Sequence, residues 1–308
     1  MKNLLSISDI EQKTLSKIID RVVLFSSKGN FNTLKNKKIA LLFSEVSLRT
    51  KISFEIATQL LGGIAVSISI PHLTKEFDGT PREDFLDILK SLEGWVDGFV
   101  VREYSGKYLE KTLKNSKLPV IDAFCGKNHP SQTIGDLSII KKKFGELKGI
   151  KVCCICPPFG SGIMESFAYG CIIMGMDVRF LSPKGEYKPK NKDFLNKIKK
   201  LQEKYKGNFR ILENKKDALR NAKILYVDEW WKNSPEFLKI QMNGFKVDDK
   251  FLELVPDETK IMHYLPAHHD REISKEILHS NKSIAFEQAE FRLYSAMASL
   301  EFIFGLIK

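Results

Sequence analysis

Short apolar runs of strand length alternate with stretches of helical periodicity along almost all of the 308 residues. The strand-length runs stand at 39–43, 64–70, 98–101 and 119–122, and then at 151–156, 177–181, 208–212, 223–227, 260–264 and 283–286. Helix-period stretches at 48–61, 83–93, 131–143, 161–174 and 191–204 separate them. Strands that recur with a helix between them pair in parallel, and a parallel sheet needs cover on both faces. The expected fold is therefore α/β, with two doubly wound parallel-sheet domains. A chain of this length suits two domains of about 150 residues. The Gly-flanked polar break Gly145-Glu146-Leu147-Lys148-Gly149 places the boundary, giving domains over 1–147 and 148–287. The last stretch, 287–307, reads as a long apolar helix. It is too apolar for a solvated tail and is expected to pack back on the first domain, completing it with 288–308.

The formal net charge is +11. Such an excess suits an anionic partner, and equally the plain solvation of a Lys-rich surface. The densest basic runs, at 35–38, 141–143 and 188–200, lack interleaved aromatic residues, and no helix-turn-helix or zinc-finger spacing appears, so no nucleic-acid partner is expected. Three of the five Cys crowd into 152–156, where neighbouring strand residues face opposite ways and make a poor metal clamp. An odd Cys count with no apolar leader points to reduced thiols and a cytoplasmic location. No run approaches the ~20 apolar residues of a membrane span.

In open parallel sheets, ligands sit beyond the carboxyl ends of the strands. Four motifs fall there or open a helix. Ser47-Leu48-Arg49-Thr50-Lys51 follows the first strand and starts a helix. Free backbone N–H groups, two hydroxyls and a guanidinium fork make that start an anion site, although an ordinary Ser cap beside exposed basic residues would look similar. His129-Pro130-Ser131-Gln132 lies at another strand exit. There His129 can donate to a carbonyl oxygen and Gln132 can accept from an amide, while a Pro-led helix start is the plainer reading. Arg102 closes the strand at 98–101 and points to the ligand end, or else pairs with Asp97 or Glu103. His263-Tyr264-Leu265-Pro266 ends a strand in a turn that frees backbone carbonyls, and His268 and His269 follow without a third ligand at metal spacing. Gln288-Ala289-Glu290-Phe291-Arg292-Leu293 opens the final helix, and its apolar surroundings favour a buried, oriented Arg292 over a solvated ion pair. Gly160-Ser161-Gly162 between strand and helix suggests a dinucleotide loop, but lacks a third Gly and an acidic residue ~20 positions on. No cofactor and no metal is expected.

These four motifs, in this order and over nearly the whole chain, resemble the aspartate/ornithine carbamoyltransferase family, whose members carry Ser-x-Arg-Thr-Arg, His-Pro-x-Gln, His-x-Leu-Pro and Glu-x-Arg-Leu. The resemblance implies transfer of the carbamoyl group of carbamoyl phosphate to an amine, as in arginine metabolism, by a homotrimer with shared active sites. It implies carbamoyl phosphate on the first domain and the amino-acid acceptor largely on the second. Ser47, Leu48 (through its N–H), Arg49 and Thr50 would hold the phosphate. Arg102 would bridge phosphate and carbonyl, and Thr50, Arg102 and His129 would stabilise the oxyanion. Gln132, the Leu265 carbonyl and Arg292 would fix the carbamoyl group.

On the acceptor side the chain departs from the ornithine pattern. Against Asp-x-Trp-x-Ser-Met-Gly it has Asp228-Glu229-Trp230-Trp231-Lys232-Asn233, which keeps Asp and Trp alone. Tyr264 stands where ornithine enzymes have Cys, and Lys51 replaces the second Arg. The Pro-containing turn 156–162, Ser47–Thr50 and Asp78-Gly79 are more like N-acylornithine carbamoyltransferases. The resemblance thus implies ornithine or an N-acylornithine as acceptor, contacted by Asp228, Lys232, Asn233 and Tyr264, with Arg82 available to an acidic acyl group. The alternative is a non-catalytic relative that binds carbamoyl phosphate or another anion.

Overall fold

The structure is a computed structural model that describes every residue except 1, 28–30, 45–46, 75, 78–79, 231–234 and 308. The chain forms two compact units: Met1–Ser138 with Phe291–Lys308, and Ile139–Glu290.

In the first unit the strands are β1 (Lys38–Phe43), β2 (Ile64–Ser69), a two-residue pair β3 (Glu76–Phe77) and β4 (Thr80–Pro81), β5 (Gly98–Arg102) and β6 (Val120–Asp122). The helices are α1 (Gln12–Phe25), α2 (Leu48–Leu60), α3 (Ile70–Thr74), α4 (Phe85–Glu93), α5 (Lys107–Asn115) and the start of α6 (Pro130–Phe144). The main sheet runs β2-β1-β5-β6, all parallel. Residues 39–43 of β1 are buried on both faces, which is why they read as an unbroken apolar run. Helix α4 shows how the cover is made. Phe85, Ile88, Leu89 and Leu92 recur at helical spacing and pack on Leu42, Phe99 and Val101. Asp84 caps its first turn by accepting from the Leu86 N–H at 2.7 Å.

The second unit holds β7 (Lys151–Ile155), α7 (Gly162–Ile173), β8 (Asp177–Leu181), α8 (Phe194–Lys204), β9 (Asn208–Leu212), α9 (Lys215–Leu219), β10 (Ile224–Val227), α10 (Pro235–Gln241), α11 (Asp249–Leu252), β11 (Lys260–His263), α12 (Lys275–Leu278) and the start of α13 (Ala285–Ile303). Its sheet runs β11-β10-β7-β8-β9, all parallel. The remainder of α13 belongs to the first unit, where the Lys2 N–H reaches the Ile303 carbonyl at 3.0 Å and the Arg21 guanidinium pairs with the buried Glu301 at 2.6 Å.

The expected α/β class is what forms, and the strand runs become strands with one exception. Residues 283–286 make a single bridge from Ser283 to Ile261, after which Ala285 opens α13. The Ala-Phe-Glu-Gln-Ala-Glu sequence that follows favours helix, and the run of apolar residues was too short to separate the two by periodicity.

Strand order fixes where ligands can gather. In the first unit the order reverses between β1 and β5, whose ends Phe43 and Arg102 are register partners. In the second it reverses between β7 and β10, whose ends Ile155 and Val227 are partners. Crossovers leave such neighbours in opposite directions and open a crevice at the carboxyl ends.

Candidate functional site

At the reversal point of the first unit, β1 leads into α2. Ser47 is the N-cap with extended backbone (φ −145°, ψ 103°), and its side chain makes no capping bond. Leu48 is exposed, Arg49 half-buried and Thr50 buried. Thr50 Oγ1 accepts from Arg292 Nη2 at 2.8 Å and from Arg102 Nη1 at 3.2 Å. A hydroxyl has two lone pairs and one hydrogen. With both lone pairs facing cations, the Thr50 O–H is left to donate.

Arg102, at the end of β5, also donates to the Ala123 carbonyl at 3.2 Å and lies over the ring of Phe124, 5.3 Å from its centroid. Asp97 and Glu103 serve elsewhere: Asp97 pairs with Lys37 at 2.9 Å, and Glu103 accepts from the backbone of Ser105 and Tyr108. Phe124 stands at φ +93°, a left-handed backbone that is costly for an aromatic residue. The Asp122 carboxylate holds it there by accepting from the N–H groups of Phe124 (2.9 Å) and Cys125 (2.7 Å). Gly126 follows at φ +82°, where a Cβ would sit 2.4 Å from the Tyr104 carbonyl oxygen. This tight turn carries the chain from β6 to His129, whose ring stacks on Phe124 at 5.5 Å.

His129 is buried, and Arg292 Nη2 lies 3.3 Å from its Nε2. A guanidinium only donates, so Nε2 must be the acceptor and the ring hydrogen belongs on Nδ1, 3.4 Å from Ser131 Oγ. Burial, and then the charges of Arg292 and Arg102, push its pKa well below the usual histidine value. The imidazole is therefore neutral, and Nδ1–H is the hydrogen it can offer. Gln132 gives one lone pair of Oε1 to Arg292 Nη1 and one N–H to Asp136 at 2.8 Å, which leaves it one N–H and one lone pair. Arg292 thus gathers Thr50, His129 and Gln132 on a single planar fork. It is the buried, oriented guanidinium anticipated from its neighbours, whereas Glu290 is exposed. Asp136 and Phe124 belong to the same cluster and carried no sequence signal, because their roles depend on helix phase and on an unusual φ.

At the reversal point of the second unit, Asp228 follows β10 and is buried. Its Oδ1 accepts from the Tyr264 hydroxyl at 2.6 Å, from the Glu229 N–H at 3.0 Å and from the Ser161 hydroxyl at 3.2 Å. Burial first, and then Asp228, raise the Tyr264 pKa well above the ordinary phenol value, so Tyr264 keeps its proton as the donor. Leu265 takes φ +56° ahead of a cis peptide bond to Pro266, and its N–H donates to His263 Nδ1 at 2.9 Å. The other ring nitrogen of His263 faces Glu272 at 3.2 Å, and His268 Nε2 faces Glu229 at 3.2 Å. His263 and His268 are thus engaged with the chain's own groups, and among the described residues no cluster of His, Cys, Asp or Glu could hold a metal. A cavity of about 460 Å³ lies nearby, walled by Trp230, Lys239, Met242, Lys246 and Arg271 among others. Arg82 is exposed just ahead of α4. Lys232 and Asn233 lie outside the described residues.

Residues 2–142 match the aspartate/ornithine carbamoyltransferase carbamoyl-P binding domain, and residues 148–303 match the Asp/Orn binding domain of the same family. The chain belongs to the aspartate/ornithine carbamoyltransferase family. It is 32% identical to the ornithine carbamoyltransferase of Methanococcus aeolicus over 98% of this chain and 99% of that protein. Among solved structures, ornithine carbamoyltransferase from Thermus thermophilus superposes with a TM-score of 0.84 at 31% identity, covering 98% of this chain and 99% of that one. That from Pyrococcus furiosus gives 0.88 at 27% identity, over 100% and 98%.

Proposed function

We propose that this family member transfers the carbamoyl group of carbamoyl phosphate to the amine of ornithine or an N-acylornithine and releases phosphate. The observation that carries the reading is the constellation of Thr50, Arg102, His129, Gln132 and Arg292 at the reversal point of the first unit. It supplies donors fixed in advance and a buried positive field, which a tetrahedral oxyanion needs. In this reading Ser47, the Leu48 N–H, Arg49 and Thr50 take the phosphate at the start of α2, where backbone N–H groups and the helix dipole add to the guanidinium. Arg102 spans phosphate and carbonyl. N–H and O–H groups of Thr50, His129 and Arg102 receive the carbonyl oxygen, while Gln132 and Arg292 fix the amide end. The neutral amine attacks the carbonyl carbon and the C–O bond to phosphate breaks. The departing phosphate takes the proton that nitrogen sheds, since His129 is held neutral by burial and then by neighbouring cations, and is a poor base. Asp228, set by Tyr264, takes the acceptor's α-nitrogen, an ammonium in ornithine and an amide N–H in an N-acylornithine.

A colorimetric ureido assay over ornithine, N-acetylornithine, N-succinylornithine, putrescine, lysine and aspartate tests this. Product with an ornithine-class amine and none with aspartate is expected. Tight binding of a phosphate analogue with no turnover on any amine would favour the non-catalytic alternative.

We further propose a cytoplasmic homotrimer acting in arginine metabolism. The five Cys are free and buried, which suits a reducing compartment. Leu48, Ile52 and Ile56 form an exposed apolar stripe at i, i+4, i+8 on α2, and Ile64 and Val66 on β2 are exposed as well. Apolar exposure of this kind marks a surface covered in the assembly.

A further inference from the structure

We propose that Tyr187, Ser161 and Glu165 are positioning residues that set Asp228 for the acceptor's α-nitrogen. The inference rests on the reading of Asp228 as an acceptor-binding residue and deepens it.

Three donors converge on Asp228 Oδ1, and each favours the ionised form and fixes the plane of the carboxylate. Two of them, the Tyr264 hydroxyl and the Glu229 N–H, come from strand ends beside it, and the Glu229 N–H also meets Tyr264 Oη at 3.1 Å. The third, the Ser161 hydroxyl, sits on the turn between β7 and α7, so its position has to be fixed from that turn. That task falls to a hydrogen-bonded chain from farther along the sequence. The Ser161 N–H donates to Tyr187 Oη at 2.9 Å, and the Tyr187 hydroxyl donates to Glu165 Oε1 at 3.2 Å. Glu165 lies one turn into the helix that Ser161 caps, and it also accepts from the N–H groups of Lys190 and of Asn191 (2.9 Å). The segment 187–191 is thereby clamped against the turn 156–162. Gly160, at φ +77°, shows how close the two run: a Cβ there would lie 2.4 Å from the Lys188 carbonyl oxygen.

Every member of the chain Glu165–Tyr187–Ser161–Asp228 has its donor and acceptor roles fixed. Tyr187 keeps its hydrogen because burial, and then Glu165, raise its pKa well above the ordinary phenol value. Ser161 contributes its hydroxyl to Asp228 while its oxygen accepts from the Met164 N–H at 3.4 Å. A carboxylate held on one oxygen by three oriented donors presents its other oxygen in a fixed direction. The chemistry matched to it is an N–H donor on the acceptor's α-carbon, the ammonium of ornithine or the amide of an N-acylornithine, and the residues that hold the turn determine how well the two meet.

The test compares steady-state kinetics of Asp228→Asn, Tyr187→Phe, Ser161→Ala and Ser161→Thr with ornithine and with N-acetylornithine. Tyr187→Phe removes one oxygen and keeps the ring. It is expected to raise the acceptor KM about fivefold, while kcat stays within about twofold, since a lost hydrogen bond is worth roughly 1 kcal/mol. The KM for carbamoyl phosphate is expected to stay unchanged, and Ser161→Thr, which keeps the hydroxyl, to recover most of what Ser161→Ala loses. If Tyr187→Phe lowers the melting temperature and changes kcat and both KM values together, the hydroxyl chain is structural and the proposal is overturned. If Asp228→Asn raises the acceptor KM and Tyr187→Phe does not, the proposal fails and the role of Asp228 stands. An unchanged acceptor KM in Asp228→Asn, or no turnover on either amine, sinks both.

Discussion

Replacing Arg292 by Lys keeps a positive charge and removes the planar fork. In the native chain one nitrogen of the fork serves Gln132 Oε1, and the other serves Thr50 Oγ1 at 2.8 Å with His129 Nε2 at 3.3 Å beside it. A lysine ammonium is a point donor on a different stem and can be placed against one of these acceptors. The 3.3 Å contact is too long to weigh much. The loss is then one full hydrogen bond from a charged donor, at about 1.5–3 kcal/mol, plus part of the penalty for a buried acceptor left unmet. Thr50 softens that penalty because Arg102 still reaches it at 3.2 Å. A net cost of about 3 kcal/mol follows, or roughly two decades in an equilibrium constant. The assay is calorimetric titration with phosphonoacetamide, a stable carbamoyl phosphate analogue, alongside urea unfolding. Affinity should fall roughly a hundredfold, and the urea midpoint should drop, because the same contacts order the unliganded site. An affinity within threefold of the native value and an unmoved midpoint would refute the argument. They would mean that charge alone, and not the fork, organises Thr50, His129 and Gln132.

Stability should depend on pH through two buried carboxyls. Burial raises Asp122 and Glu165 from their ordinary values to about 7 each. A raised acid binds its proton more tightly folded than unfolded, so its contribution is complete below about pH 4 and is lost as pH climbs through 7. At 1.36 kcal/mol per pKa unit, the upper bounds are about 4 kcal/mol for Asp122 and about 3 kcal/mol for Glu165. Urea midpoints should therefore fall between pH 5 and pH 7.5, and a smaller fall in Glu165→Gln would assign part of it to that residue. A flat or rising profile would contradict the burial argument. Sedimentation should give three times the mass of one 35.2 kDa chain, and Ile52→Glu on the exposed stripe of α2 should shift the mass toward one chain.

The sequence by itself determined the architecture and the position of the polar groups at the strand ends of the first unit. Alternation of short apolar runs with helical periods forces parallel sheets, and parallel sheets force ligands to the strand ends. Ser47, Thr50, Arg102 and His129 could be placed there from their position after a strand alone. What each atom does was decided by tertiary structure. Sequence spacing cannot say that Arg292, more than 150 residues from His129, puts its guanidinium against Nε2 and so moves the ring hydrogen to Nδ1. Nor can it say that Thr50 has both lone pairs taken and its hydrogen left over. The strand expected at 283–286 failed for the same reason, since a four-residue apolar run fits either a strand or the start of a helix and only its neighbours choose. In the second unit Asp228 and Tyr264 were legible as strand-end residues. The chain of hydroxyls behind them was not, because Tyr187 and Glu165 meet Ser161 through a loop folded back on its own helix. Covalent order fixes which strand end a side chain occupies; long-range packing fixes which lone pair and which hydrogen it has left to use.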